Sequence, residues 1–410
     1  MENQGFWGKF DKFLAGVLGL MVLSACVSPA LARNLFWGIY VLFALRIIVQ
    51  PSFLRPLGEI RWFLYAAGAI IFMVAVQSVY GGRFMAVIKN SDYSGQLAAL
   101  LPVIIFLLVR EKAYACRLLD FLAAGVTVTS LDLLRQGIFH AYKLKAGGIR
   151  AGSLIGHFLN TSAMYIALIP LLTIFALSGE EAPLRRKLYA AAAVIALAGS
   201  VFTGTRGCYL AIVFELVVII GYCLRRNFKK MLAVFCAAVL LAGGLCFFIP
   251  ALNRRVSTIG NLKEFSQYQR LLMWDSAFNM WKDYPLMGVG MGNYAKRYQT
   301  EYIHPEARAK EPFQWHAHNC YLHLLAEDGL FGFLLYAFAF GSLLLWGWRH
   351  RHSRYGLTGF VATLGLLFYA TNDYIIFHGN SGMRVFWLLQ GFCISGQWLE
   401  ETAIAERESK

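Results

Sequence analysis

Charge is scarce in this chain. Of its 410 residues only 15% are Asp, Glu, Lys or Arg, whereas 58% are hydrophobic and the mean hydropathy is +0.53. That balance excludes a soluble globular protein of this length. The apolar runs lack the strict alternation of barrel strands, which leaves helices as the elements that satisfy their own backbone in lipid. The eight cysteines, Cys26, Cys116, Cys208, Cys223, Cys236, Cys246, Cys320 and Cys393, include no CxxC pair. They read as small packing residues, with Cys208 and Cys320 expected near the outer face. The glycine-rich GVGMGN, Gly288 to Asn293, has no strand before it and no βαβ unit around it, so a dinucleotide fingerprint is excluded. A processed leader is not expected either. Leu23 to Cys26 imitates a lipoprotein cleavage box and Ala30 to Ala32 a signal-peptidase site, but the chain runs straight on into NLFWGIYVLFALRIIV where a processed protein would continue as a polar tether. The first span is expected to remain uncleaved.

What the chain has is a series of about twelve apolar runs long enough to cross a bilayer, near 13–31, 34–50, 63–80, 95–109, 116–134, 159–177, 188–204, 207–224, 231–250, 322–346, 356–372 and 384–398. The expected fold is an all-α polytopic membrane protein. Basic residues cluster in every second connection, at RPLGEIR (Arg55 to Arg61), REKAYACR (Arg110 to Arg117), RRK (Arg185 to Lys187), RRNFKK (Arg225 to Lys230) and RHRHSR (Arg349 to Arg354). The positive-inside rule puts those loops and both termini in the cytoplasm. The formal charge of +15 is then topological, and no nucleic-acid partner is expected. The domain layout follows: transmembrane helices 1–9 over 1–252, a loop domain over 253–321, helices 10–12 over 322–400, and a cytoplasmic tail over 401–410.

Function should sit where polar sequence is concentrated, in the one long loop of about seventy residues on the outer side. Within it the spacing of Leu272, Trp274, Ala277, Phe278 and Trp281 predicts a helix over about 266–283, opened by Arg270 and ended by Pro285 and the glycines, whose turn should bring backbone close to another element. Arg206, in FTGTRGCYL, lies between two apolar runs among Thr203, Gly204, Thr205 and Gly207, where an arginine needs water or an anionic partner. TNDYIIFHGNSGMR places Asp373 and His378 in the last outer loop.

HAHNCYLHLLAEDGLFG, His316 to Gly332, carries three histidines and two acids where the loop returns to apolar sequence. A helix from near His318 would align His318, Leu322, Leu325, Gly329 and Gly332 on one face, the glycines allowing close approach of another helix. His318 would stand at the interface, able to accept a proton at neutral pH. His323 lies on another face and reads as a packing or capping residue. His316 and His318, with His304 or His323, are the rival metal ligands, but i and i+2 do not share a helical face and no HExxH completes the set. The loop acids Glu264, Asp275, Asp283, Glu301, Glu306 and Glu311 are too dispersed for Mg²⁺. A histidine base is favoured over a metal site.

HNCYLHLLAEDGLFG resembles the histidine motif of the O-antigen ligase superfamily: His, Asn, nine residues, Gly, two residues, Gly. TGTRG around Arg206 resembles that superfamily's arginine-bearing segment, and RLLMWDSAFNMWKDYPLMGVGMGN its loop segment. The resemblance implies a GT-C-like glycosyltransferase architecture at the bacterial inner membrane, with its active site facing the periplasm. It implies transfer of O-antigen from undecaprenyl diphosphate to a sugar hydroxyl of lipid A-core, without metal or other cofactor. Carried over residue by residue, Arg206 and Arg270 hold the diphosphate and His318 is the general base; beside it, Asn319 is read from its position as a substrate-binding residue and as a neighbour that fixes the orientation of His318. Asp373 falls where ligases often have an acid after the penultimate span. Polymerases of the superfamily use a second lipid-linked repeat as acceptor, and its protein O-oligosaccharyltransferases use a serine of an exported protein. The latter often carry added C-terminal sequence, whereas here WLEETAIAERESK follows the last span, so a ligase is expected. A lipid-linked sugar transporter or flippase remains the alternative of another class, to which the charges Arg46, Asp120, Asp132 and Arg206 would point, although no repeat joins the two halves.

Overall fold

The computed structural model describes residues 2–85, 95–139, 154, 156–248, 253, 256–257, 265–308, 313–376 and 381–409. His378 and the loop acids Glu264 and Glu311 lie outside them, as does the side chain of Cys246. The elements are helical throughout these residues: α1 Glu2–Val27, α2 Pro29–Val49, α3 Arg61–Tyr80, α4 Leu101–Leu108, α5 Lys112–Ile138, α6 Phe158–Leu177, α7 Pro183–Ser200, α8 Arg206–Leu224, α9 Phe228–Phe248, α10 Phe265–Asp283, α11 Tyr294–Arg297, α12 Pro305–Arg308, α13 Cys320–Arg349, α14 Arg354–Ala370 and α15 Ser381–Glu408. The twelve apolar runs coincide largely with these helices, although the first crosses from α1 into α2, the first six residues of the fourth, Gly95–Leu100, form a 3-10 turn, and the last two of the ninth lie outside the described residues. Among the described residues, seven segments are long and apolar enough to cross a membrane: those built on α1, α2, α3, α6, α7, α8 and α13.

The bundle is organised around α6. In its apolar window 83% is buried, and it packs against α7, α8, α14 and α15. Such all-round burial suits a helix whose sequence, FLNTSAMYIALIPLLTIFAL, has no polar face to turn outward. Three charges that suggested a transport path are paired with neighbours. Arg46 reaches Asp11 at 2.8 Å between the rings of Trp7 and Phe53, Asp120 takes Arg185 at 2.7 Å and Tyr189 at 2.8 Å, and Asp132 takes Arg135 at 2.7 Å.

The segment between α9 and α13 builds a second, smaller apolar cluster, including Met273, Ala277, Met280, Tyr294 and Tyr298, against Ala326 of α13. Helix α10 lies where the periodicity predicts a helix, and Leu272 and Ala277 of that pattern are buried, but its aromatics are not on the buried face. Gln269, Leu272, Met273, Ser276, Ala277 and Met280 point inward, while Phe278 is exposed and forms a ring pair with Trp281. The bulky aromatics that dominate the sequence pattern are therefore not the packing face, and smaller residues let α10 sit close to α13.

Helix α13 differs from the sequence expectation at Gly329 and Gly332. Gly329 does not continue a helical face: its φ of 63° and ψ of −164° interrupt the helix. The amides of Leu330 and Phe331 donate to Pro285 and Leu286 oxygens, at 2.9 and 3.0 Å, and the Ala326 and Glu327 oxygens freed by the break accept from Val289 and Gly290 at 2.9 and 2.8 Å. The glycine-rich turn thus supplies partners for backbone groups that the break deprives of their helical ones. The contact Gly329 makes is with this turn and not with another helix. A Cβ on Gly329 would lie 2.4 Å from the Leu286 oxygen, and one on Gly288 2.4 Å from the Glu327 carbonyl carbon. Gly332 makes room for Cβ of Asp328 in its own helix.

Candidate active site

The site forms where several helix ends meet. Helix α7 passes through a short 3-10 turn to Gly204, whose φ of 62° ends it, and Thr205 is the extended residue from which α8 restarts. Arg206 is therefore the first residue of α8, beside the positive end of that helix dipole. Gly207 allows α8 to approach α14, since a Cβ there would meet the Tyr369 ring at 2.9 Å. The small polar surround expected for Arg206 is this turn. Arg270 lies in the first turns of α10, half-buried.

Helix α13 starts at Cys320, not at His318. Asn319 is its N-cap, accepting from the amides of Tyr321 and Leu322 at 3.0 and 3.1 Å, and its own amide donates to the Thr371 carbonyl at 3.1 Å. Asn319 thus ties the start of α13 to the 371–376 segment. His318 precedes the cap with a φ of 50°, a left-handed conformation that few non-glycine residues adopt. It is off the helix, so the shared face with Leu322 and Leu325 does not exist. Cys320 is reduced, and its thiol donates to the Asp373 carbonyl at 3.0 Å.

The side chains of Arg206, Arg270, His318 and Asp373 all line one open cavity of about 240 Å³. Its wall also holds Gln269, Gln314, Asn372 and Tyr369, which sequence reasoning missed. Only the adjacency of Gln269 to Arg270 hinted at any of them. Asn319 does not line it. His318 Nδ1 faces Asp373 Oδ1 at 3.3 Å, with His318 28% exposed and Asp373 nearly buried. The same carboxylate oxygen accepts the amide of Tyr374 at 2.8 Å. Burial pushes the Asp373 carboxyl up, but the hydrogen bond and charge of His318, with His316 and Arg270, outweigh it and hold the group below the usual carboxylate range. The cavity therefore combines two guanidinium groups and several amides with one imidazole backed by a carboxylate. Such a set suits an anionic ligand beside a hydroxyl that must lose a proton.

The other two histidines stand behind the cavity. His316 packs against His318 and Tyr374, and His323 is buried with its Nε2 3.3 Å from Glu327 Oε2. The i, i+4 spacing of His323 and Glu327 was the legible sign of that pair. Among the described residues, no group of three His, Cys, Asp or Glu side chains is placed to hold a metal ion.

No curated protein matches the chain in a sequence comparison. Residues 191–337, a segment that carries Arg206, Arg270, His318 and the Gly329 break but ends before Asp373, match the family model described as O-antigen ligase.

Proposed function

We propose that this chain is an O-antigen ligase, which transfers O-antigen polysaccharide from undecaprenyl diphosphate to a sugar hydroxyl of lipid A-core on the periplasmic side of the inner membrane, within a GT-C-like bundle of about twelve spans. The observation that supports this reading most is the convergence of Arg206, Arg270, His318 and Asp373 on one cavity. The diphosphate lies against Arg206, Arg270 and the start of α8. With its Nδ1 proton held toward Asp373, His318 presents Nε2 to the acceptor hydroxyl. Nε2 takes the hydroxyl proton as the acceptor oxygen bonds to the anomeric carbon. The bond from that carbon to the diphosphate oxygen breaks, and its electron pair leaves with the diphosphate. The guanidinium groups meet the growing negative charge, and Asp373 meets the imidazolium. The displacement inverts the anomeric carbon and forms no glycosyl-enzyme.

The test is transfer by purified protein in proteoliposomes, with a lipid-diphosphate-linked glycan and, in separate arms, lipid A-core, a second lipid-linked repeat, or pilin, all under chelator. Extension of lipid A-core is expected. Extension of either other acceptor would instead identify a polymerase or a protein transferase, and glycan movement across the bilayer without transfer would identify a transporter. His318→Ala should abolish transfer at normal protein levels. Arg206→Lys should also fail, because an ammonium cannot reproduce the two-pronged contact of a guanidinium with a phosphate.

A further inference from the structure

A column of rings stands behind the cavity. His318 meets His316 edge-on with centroids 4.3 Å apart, and His316 stacks on Tyr374 at 4.7 Å. Tyr374 meets His323 at 4.3 Å, His323 leans on Tyr294 at 4.7 Å, and Tyr294 stacks on Tyr298 at 5.9 Å. These six rings come from three parts of the chain: the segment after the glycine-rich turn, the start of α13, and the 371–376 segment. The column therefore joins the pieces that supply His318 and Asp373 to the cavity, and braces them against the segment after the glycine-rich turn.

Glu327 fixes the middle of the column. Its carboxylate pairs with His323 Nε2 at 3.3 Å and accepts the amide of Tyr294 at 3.0 Å. Both His323 and Glu327 are 1% exposed and neither lines the cavity. Burying an imidazole and a carboxylate is costly, and an apolar pair would fill the space at less cost, so what the ionisable pair adds is fixed geometry. The path to the site is short. The ring of Tyr374 is held between His316 and His323, and its backbone amide donates to the Asp373 oxygen that faces His318.

We propose that Glu327 and His323 are positioning residues that hold Asp373 against His318 by fixing the ring of Tyr374. Their effect on turnover rests on the glycosyl-transfer reading above; their effect on the His318 side chain does not. Two readouts on the full-length chain in proteoliposomes separate these cases. One is kcat and donor KM for transfer, and the other is the rate at which diethyl pyrocarbonate modifies His318, followed by mass spectrometry.

His323→Leu, which removes the imidazole and its bond to Glu327, should lower kcat by about tenfold or more, as expected when a reacting group is displaced by about 1 Å. Donor KM should stay within about threefold, since the diphosphate ligands are untouched. His318 should be modified at least about threefold faster once Asp373 no longer holds it. His323→Phe, which keeps a ring, and Glu327→Gln, which keeps an acceptor for Tyr294, should each retain more turnover than His323→Leu and Glu327→Ala respectively. These conservative variants keep the test decisive if a severe one does not fold. Unchanged His318 modification and unchanged kcat in His323→Leu and Glu327→Ala would overturn the proposal, as would an equal loss of kcat and donor binding in all four variants. A wild-type protein that transfers to no acceptor, with His318 modification still faster in His323→Leu, would overturn the glycosyl-transfer reading and leave the positioning role standing.

Discussion

At the scale of the residue, Asp373 sets the electrostatics of the site. It is 4% exposed, and its carboxyl is held below the usual range by His318, His316 and Arg270 against the opposing effect of burial. A carboxyl with a depressed folded-state pKa contributes stability that is complete above its unfolded value, near pH 4, and is lost as pH falls through the folded value. Asp373 is therefore anionic throughout the neutral and mildly acidic range. Any loss of activity on acidification between about pH 5 and 7 belongs to a different group. Asp373→Asn keeps the size and removes the charge that meets a protonated His318. Transfer should fall by about 10²- to 10⁴-fold, the range seen when the acid behind a histidine base is made neutral. In thermal unfolding, the variant should lose less stability than wild type on going below about pH 4. Transfer within about twofold of wild type would remove Asp373 from the reaction. His318 itself was legible as the distinctive histidine of its cluster, but its left-handed backbone was not. That conformation follows from capping by Asn319 one residue later, which turns the chain sharply just before α13 begins.

At the scale of the element, the exchange of hydrogen bonds between the glycine-rich turn and the break in α13 anchors the segment that carries Arg270. Gly288 and Gly329 both have positive φ and both face backbone atoms where a Cβ would stand. Gly288→Ala and Gly329→Ala should each destabilise the protein by about 2 kcal/mol or more, combining backbone strain with overpacking. Gly341→Ala in the same helix, with nothing within 4 Å of its Cβ, should be nearly neutral. Thermal melting in detergent, together with the rate of proteolysis between α10 and α13, checks both statements. Equal melting temperatures for Gly329→Ala and Gly341→Ala would refute the anchoring role. The helices themselves were legible because long apolar runs have few alternatives in lipid, and α10 was legible because Pro285 and the glycines terminate its pattern. Its buried face was not, since Trp274, Phe278 and Trp281 outweigh Leu272, Met273 and Ala277 in any apolar pattern although the smaller residues are the ones that pack. The break at Gly329 was also hidden, because its compensating hydrogen bonds come from residues more than thirty-five positions away. The convergence of Arg206, Arg270, His318 and Asp373 appears in no local spacing, and only the family resemblance suggested it.

At the scale of the molecule, the two ends of the bundle differ in chemistry, and this difference makes the orientation testable. The cavity lies among the end of α7, the start of α8, the start of α13 and the segment after α14. The opposite ends of those helices carry the basic connections around Arg185, Arg225 to Lys230, and Arg349 to Arg354. There Arg354, buried beside the Phe175 ring, binds Glu180, Glu181 and Glu400 at 3.2, 2.7 and 2.9 Å, tying α14 to α15 and to the α6–α7 connection. An end rich in lysine and arginine is retained in the cytoplasm during insertion, so the cavity end should face outward. Trp315, 70% exposed near His318, and Arg226, exposed in the α8–α9 connection, sample the two ends. In cells whose outer membrane has been permeabilised, a membrane-impermeant maleimide should label Trp315→Cys well above the background of the parent protein. Arg226→Cys should be labelled only after the inner membrane is also opened. The reverse pattern would place the cavity in the cytoplasm, away from lipid A-core exported to the outer leaflet, and would overturn the ligase reading together with the orientation. Labelling of both positions in sealed cells would show that the basic connections do not determine the topology, whatever reaction the cavity performs.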